Sequence, residues 1–504
     1  MPEEFEIANF SHGYDDSVVE EESPSNSTQK CKNVDYTREV GAVTKDFGEK
    51  VMSSIGIDYP LDGAVQAIYE GSLWASGSGE WINKRLVVAG GTAYQYCPGG
   101  YFVPLGSGGE FLTGATDYVD VTHYLTYFVI TDGTNAIYTW DGFNATLTAL
   151  AGASGNYLSK HVEIFKDRII LGNTTEGGSK LESRIRWSNQ GVGTTWTATD
   201  SLDVRDKTGD EIVRIKGLYE NLIVFKKNTI HVIAWTGGAL PFSRTTLDSQ
   251  SMNNAGRTVA QVMGYLWFVN EEGIQMTNGT SEPEPAPADS KVSKLLNSLY
   301  LNSIGRCHAV SNDARQEYIL TVPIEGSETC NYVIVYNWKY DKWRIEERDT
   351  NCIGFYTDAE GGTWASISEY YGYEIQGIDW SDSLLYPGSR DLVYGDEDGY
   401  CKQKSISYNN DGDAYDSYHE TPWLDFGRPG EYKEVVQIQP TWKGIAGDIA
   451  QISYKKDYDA DWTDCTTDDF AVTGASLLTL VMLERDGNSG LPITMQMSIS
   501  HYIR

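Results

Sequence analysis

The side chains best placed to do chemistry are carboxylates. Asp411, Asp413 and Asp416 in NDGDAYD, and Asp457, Asp459, Asp461 and Asp464 in DYDADWTD, set an acid at every second or third position. Short loops of that kind offer oxygen ligands to hard cations such as Ca2+. Neither run completes the DxDxDG…E frame, so solvated turns are expected, with no metal and no cofactor. Five more acids sit at turns between strand-like runs: Glu271, Glu272, Asp396, Glu397 and Asp398. The remaining inventory is thin. GxSxG, GxxxxGK[ST], HExxH and a GxGxxG after a strand are absent, and the seven His are scattered singly. No catalytic residue is assigned and no enzyme is expected.

The formal charge of −32 repels phosphate and argues against groove or backbone recognition of nucleic acid. Lys226-Lys227, Lys339, Lys342 and Arg344, and Lys455-Lys456 fall at turns or strand ends and build no basic stripe. Cysteines stand singly at 31, 97, 307, 330, 352, 401 and 465, without a CxxC, as reduced thiols would. No apolar run reaches the ~18 residues of a membrane span, and MPEEFEIANF lacks the apolar core of a secretory signal.

The elements that must position these residues are strands. Aromatics make up 12% of the chain, with 33 Tyr, 14 Trp and 51 Gly, a mixture suited to strands and tight turns. The pattern is plainest in NNAGRTVAQVMGYLWFVNEEGIQMTNG, Asn253 to Gly279. There an apolar aromatic strand turns at Glu271-Glu272-Gly273 into a second short strand ending at Asn278-Gly279. The same grammar recurs from about residue 61 to 405, in units about 40–50 residues apart, the period of a four-stranded propeller blade. This predicts an all-β fold: a β-propeller of six to eight blades over 61–418, preceded by an irregular arm over 1–60. Strands alternating apolar and polar residues then predict a C-terminal antiparallel β-sandwich over 419–504.

The arm contains EEESPSNS, Glu20 to Ser27, and is expected to be mobile or spread over a neighbouring chain. One segment departs from the hairpin grammar. SEPEPAPADSKVSKLLNSLYLNS, Ser281 to Ser303, opens Pro-rich and predicts a helix near 290–301 with Ser290 as its cap. Val292, Leu295, Leu296 and Leu299 share one face of it. That face would pack on the propeller rim or contact a neighbouring subunit.

Several of these stretches resemble the nozzle, or packaged-DNA stabilisation, proteins of short-tailed bacteriophages. The likeness lies in EEGIQMTNG, in the opening that carries Phe10, Gly13, Asn33, Gly41 and Lys45, and in LDFG…YKEV with DYDADW near the end. The resemblance implies a virion tail protein assembled in the host cytoplasm. It would form a ring of six copies below a portal or adaptor, beside other tail proteins. DNA would be retained and then conducted through its lumen without specific binding. Glu271, Glu272, Asp396, Glu397 and Asp398 are the acids that would then line the channel. SNQGVGTTW, Ser188 to Trp196, is similar to the Asp-box turn of sialidase propellers, with Asn189 and Gln190 where Asp is expected. A glycan hydrolase on a propeller, or a receptor-binding tail protein, is the alternative.

Overall fold

In the computed structural model, residues 3–4, 7, 9–39, 41–52, 60–75, 77–97, 101–106, 118–153, 155–206, 209–238, 241–248, 252, 254–357, 390–405, 407–425, 434–437, 449–456, 461–464, 470–471, 481–483 and 495–502 are described. They form a seven-bladed β-propeller with further antiparallel sheets near the C-terminus. Asp457 and Asp459 lie outside the described residues, as does Cys465; the other six cysteines are free thiols.

Each blade is an antiparallel meander running outward from the axis. The innermost strands are Val65–Ala75, Asp120–Tyr124, Tyr157–Phe165, Ile212–Leu218, Ala260–Val262, His308–Asn312 and Cys352–Thr357. The second strands are the most apolar because each is sandwiched between neighbouring blades, which leaves no face for polar residues. Their two-residue period deals alternate side chains to opposite seams. Phe128 and Ile130 pack toward blade one, whereas Val129 packs toward blade three. Seven apolar clusters occupy the seven seams in turn, and the last joins Val65 and Val87 of blade one to Val393 and Cys401 of blade seven.

The arm is where expectation and structure part. Glu49–Val51 supplies the fourth strand of blade seven, pairing antiparallel with Cys401–Lys404. A strand from near the start of the chain thus closes the circle. Upstream, Gly13–Tyr14 pairs onto blade six, and Lys30–Lys32 pairs with Ser417–Glu420 of a C-terminal sheet. Tyr14, Val34, Tyr36 and Phe47 are buried within the same chain. The arm is thus paired and partly buried against its own chain. Its buried residues are too widely spaced to raise the local apolar content, which is why the segment reads as disordered.

The expected helix is also broken up. Asp289–Val292 is a 3-10 turn, Ser293–Asn297 a single α turn, and Leu301–Arg306 another 3-10 stretch. Ser290 does not cap it. Asp16 of the arm does, accepting the amide hydrogens of Lys294 and Leu295 at 3.0 and 2.8 Å. Val292 and Leu296 are buried in the seam of blades five and six, with Leu295 and Leu299 packed partly buried against it. No described helix is long and apolar enough to cross a membrane.

Candidate functional site: a filled axis and two unlike faces

Side chains from non-neighbouring blades can meet only at the propeller axis, and several do. Arg257, leading into blade five, donates to the Gln66 carbonyl of blade one at 3.3 Å. Its guanidinium also lies 5.2 Å from the Tyr118 ring centre and 3.4 Å from His308 Nδ1. Arg214 of blade four donates to Asp120 Oδ1 of blade two at 2.9 Å and to the Tyr118 hydroxyl. Lys216 pairs with Glu163 at 3.0 Å, and Tyr69 OH meets His123 Nδ1 at 2.9 Å.

Burial sets the protonation of this cluster. It drives the His161 imidazole down to about 3 against the opposing pull of Asp120. It also holds His308 well below its ordinary value, helped by Arg257 and Arg214, and lowers His123. The Tyr69 and Tyr118 phenols are raised by the same burial and stay protonated. Burial alone would disfavour the charge on Arg214, but Asp120, Tyr118 and Glu163 outweigh it and raise its pKa. Neutral imidazoles beside ion pairs that are already formed provide neither an activated nucleophile nor an exposed acid–base pair. The three cations Arg214, Lys216 and Arg257 face two carboxylates, Asp120 and Glu163, so the acid excess of the chain does not reside on the axis. Arg257 spans the axis, so that level is a packed plug.

A meander puts successive turns at opposite ends, so each face of the disc collects one kind of turn. Among the described residues, turns between second and third strands carry Asp132, Glu271, Glu272, Glu325, Glu328, Asp396, Glu397 and Asp398 against the base Lys227. All five acids expected at a channel therefore share one face. Asp396 and Glu397 take part in ion pairs. Asp396 is buried, accepts the amides of Asp398 and Tyr400 at 3.1 and 2.7 Å, and pairs with Lys402 at 3.2 Å. Glu397 pairs with Arg306. Glu271, Glu272 and Asp398 are exposed.

The opposite face carries exposed apolar tips among its charged turn residues. Leu125, Tyr219 and Met263 head the turns between first and second strands of blades two, four and five, and are 54%, 71% and 52% exposed. Their φ values of 52, 53 and 47° lie in the left-handed region that Gly or Asn occupies cheaply, and a bulky side chain there costs about 1–2 kcal/mol. In blade one Trp74 and Trp81 form an exposed cross-strand pair with ring centres 5.5 Å apart. Phe143 and Val192, in turns between third and fourth strands, are exposed on the same side. The sequence marks a turn at Tyr219–Asn221, but nothing marks Leu125-Thr126 as one or places these tips on a common side.

The residues of the opening pattern converge elsewhere, on the joint between arm, blade six and the C-terminal strands. Phe10 sets its ring edge on His419 at 4.9 Å. Gly13 takes φ +76°, a left-handed conformation that favours glycine, beside the Trp343 carbonyl and Tyr36. Asn33 bridges the Asp416 carbonyl at 2.8 Å and the Glu347 amide at 3.0 Å. The Gly41 carbonyl accepts the Phe10 amide at 2.9 Å, and Lys45 Nζ donates to the Tyr415 carbonyl at 2.7 Å. Beneath them lies a buried ionic cluster. Lys404 Nζ contacts Asp46 at 2.6 Å and Glu346 at 2.8 Å, while Arg344 reaches Glu317 at 2.5 Å.

The other expected sites resolve simply. Among the described residues no three His, Cys, Asp or Glu groups gather as a metal site, and Asp411, Asp413 and Asp416 are exposed. SNQGVGTTW makes the turn between third and fourth strands of blade three, with Trp196 Nε1 donating to the Gly193 carbonyl at 3.0 Å.

No protein-family model and no curated protein matches the sequence. Among solved structures the chain is similar to BamB from Moraxella catarrhalis, at 10% identity and TM-score 0.36, covering 67% of this chain and 83% of that one. It is also similar to the computationally designed Ika8 protein, at 9% identity and TM-score 0.39, covering 71% and 99%. A third likeness is to the extracellular domain of a one-component system of B. thetaiotaomicron, at 11% identity and TM-score 0.41, covering 89% and 58%.

Proposed function

We propose that the chain is a structural subunit of a short-tailed phage virion, a tail nozzle protein. Six copies would ring the path of the DNA below a portal or adaptor, retain the packaged genome and conduct it during ejection. One observation carries the reading. The five residues of the opening pattern, Phe10, Gly13, Asn33, Gly41 and Lys45, meet at a single joint that ties the arm to blade six and the C-terminal strands. A pattern whose members all serve one joint is a fold-level signature, which scattered matches would not be. The filled axis fits the same reading, since DNA would then pass through the lumen of the ring and not through a propeller. A wall of carboxylates such as Glu271, Glu272 and Asp398 would repel the duplex over about 8–10 Å at physiological salt and keep it from sticking. The test is immunogold labelling of particles of the encoding phage with antibody to the propeller, together with deletion of the gene. Label at the tail tip, and mutant heads that lose their DNA, are expected. Unlabelled tails or mutant particles that retain DNA would refute the proposal.

A further inference from the structure

The sign of the chain's charge reverses at its centre. The whole sequence carries −32, yet one cation at the axis has no acid of its own. Both axial carboxylates are already engaged. Asp120 accepts from Arg214 at 2.9 Å and from the Val162 amide at 3.1 Å, and Glu163 accepts from Lys216 at 3.0 Å. Arg257 is left over. Among the described residues it makes no ion pair, and its hydrogen bonds run from one terminal nitrogen, to the Gln66 carbonyl and to His308 Nδ1. That Nδ1 also accepts the Ile353 amide at 3.1 Å, so the ring proton of His308 sits on Nε2. The charges that bear on His308 are Arg257 and Arg214, both positive, and with burial they keep it neutral. A guanidinium this deep without a counter-charge is strongly disfavoured.

Unpartnered donors converge on the same place. His161 is 3% exposed, and neither of its ring nitrogens has a hydrogen-bond partner in the protein. Asp120 Oδ2 is 3.9 Å from Nδ1, beyond hydrogen-bond reach. The Arg214 Nε is buried and unpartnered as well. Tyr118 is the common neighbour of all three groups. Its ring centre lies 5.6 Å from that of His161 and 5.2 Å from the Arg257 guanidinium, and its hydroxyl accepts from Arg214. Tyr118, Arg214, Arg257 and His308 are only half-buried although they face the axis, so water-sized space borders them beside the plug. Buried N–H groups need an acceptor, and a surplus positive charge needs a negative one. We propose that the propeller axis binds a single small monovalent anion, a halide, against Arg257, Arg214 Nε and the His161 ring. One surplus cation sets its charge at one. Donors reaching in from three blades suit a spherical acceptor better than the flat edge of a carboxylate, and two guanidiniums repel a metal cation. The anion pins blades three, four and five together at the axis, whatever the chain does in a virion.

Bromide locates the site directly. Crystals of the full chain are grown with sodium bromide as the only halide, and anomalous scattering maps the ion. A peak at the axis in contact with Arg257 is expected. Peaks on the outer surface alone would mark adventitious ions and overturn the proposal. In solution the chain is dialysed into sodium gluconate, and thermal unfolding is followed as sodium chloride replaces it at constant ionic strength. Chloride should raise the melting temperature along a saturating curve, because it binds the folded chain and not the unfolded one. Arg257→Gln removes the surplus charge and should need at least about 10-fold more chloride for half the effect. Arg257→Lys keeps the charge and should keep the axial bromide. A melting temperature indifferent to chloride, or an Arg257→Gln curve that matches the wild type, overturns the proposal. Should Arg257→Gln fail to fold, the wild-type map and the wild-type chloride curve decide the matter by themselves.

Discussion

Replacing Lys404 with Met removes the cation at the centre of the joint. Asp46, Glu346 and Lys404 are 2%, 1% and 4% exposed, so water cannot take over the lost contacts at 2.6 and 2.8 Å. Taking one partner from a buried ion pair costs about 3–5 kcal/mol, because the other charge remains buried. Here Asp46 keeps Arg38 at 3.6 Å and Arg344 at 3.9 Å, and Glu346 keeps Arg344 at 3.3 Å and Arg348 at 3.4 Å. Those cations place the expected penalty near the lower end, about 3 kcal/mol. The penalty should also depend on pH. Burial, with Asp46 beside it, pushes the Glu346 carboxyl up to about 7. A carboxyl raised in the folded state favours folding below its ordinary range, and that contribution is lost as pH rises through about 7. Without Lys404 the carboxyl rises further, so the loss deepens on the alkaline side. At about pH 5.5 Glu346 is protonated in both proteins, and the penalty should be smaller than at about pH 8 by at least ~1 kcal/mol. Urea unfolding followed by tryptophan fluorescence at both pH values measures this. A penalty below ~1 kcal/mol at about pH 8, or one equal at the two pH values, would refute the reasoning.

Deleting residues 1–36 removes buried Tyr14, Val34 and Tyr36 but spares Glu49–Val51, so the propeller should stay closed with reduced stability and lost incorporation into particles. Deleting residues 1–52 should in addition open blade seven, read as faster hydrogen exchange at Cys401–Lys404 in that truncation alone. In Gly395→Ala the new Cβ would lie 2.5 Å from Val65 Cγ1 at the closing seam, and thermal unfolding should report a loss of about 1–3 kcal/mol. Glu271→Lys/Glu272→Lys/Asp398→Lys should slow DNA ejection at low salt and be rescued at high salt, as a phosphate-binding lumen requires; ejection unchanged at both would leave these acids as solubility groups.

The hairpins were legible because their second strands are buried on both faces. The run Tyr265–Asn270 had to be apolar, and its turn at Glu271–Gly273 had to be polar. Blade closure was not legible. Glu-Lys-Val at 49–51 carries no strand signal, and its place is fixed wholly by the open edge of Cys401–Lys404. The segment after Pro287 read as one amphipathic helix, yet Ala288 takes a left-handed conformation at φ 57° and Asp16 intervenes from a remote part of the chain. The exposed apolar tips are hidden for a related reason. Leu125 and Met263 belong to turns by geometry and not by residue type, and only the fold sets them on the same side as the turn at Tyr219. The acids of the opposite face were readable one by one, but their common side follows from the order of strands.

Closure by Glu49–Val51 also sets a timetable for synthesis. About 350 residues separate that strand from Cys401–Lys404, and at ~5–20 residues per second the ribosome needs roughly 20–70 s to deliver the partner. Through that interval blades one to six can stack in order of emergence, each covering the apolar side of the one before. The side of blade one that bears Val65 and Val87 has no cover until blade seven arrives. The nascent chain is therefore an open crescent with two sticky ends and a waiting tether, and the last blade made is the one that retires all three.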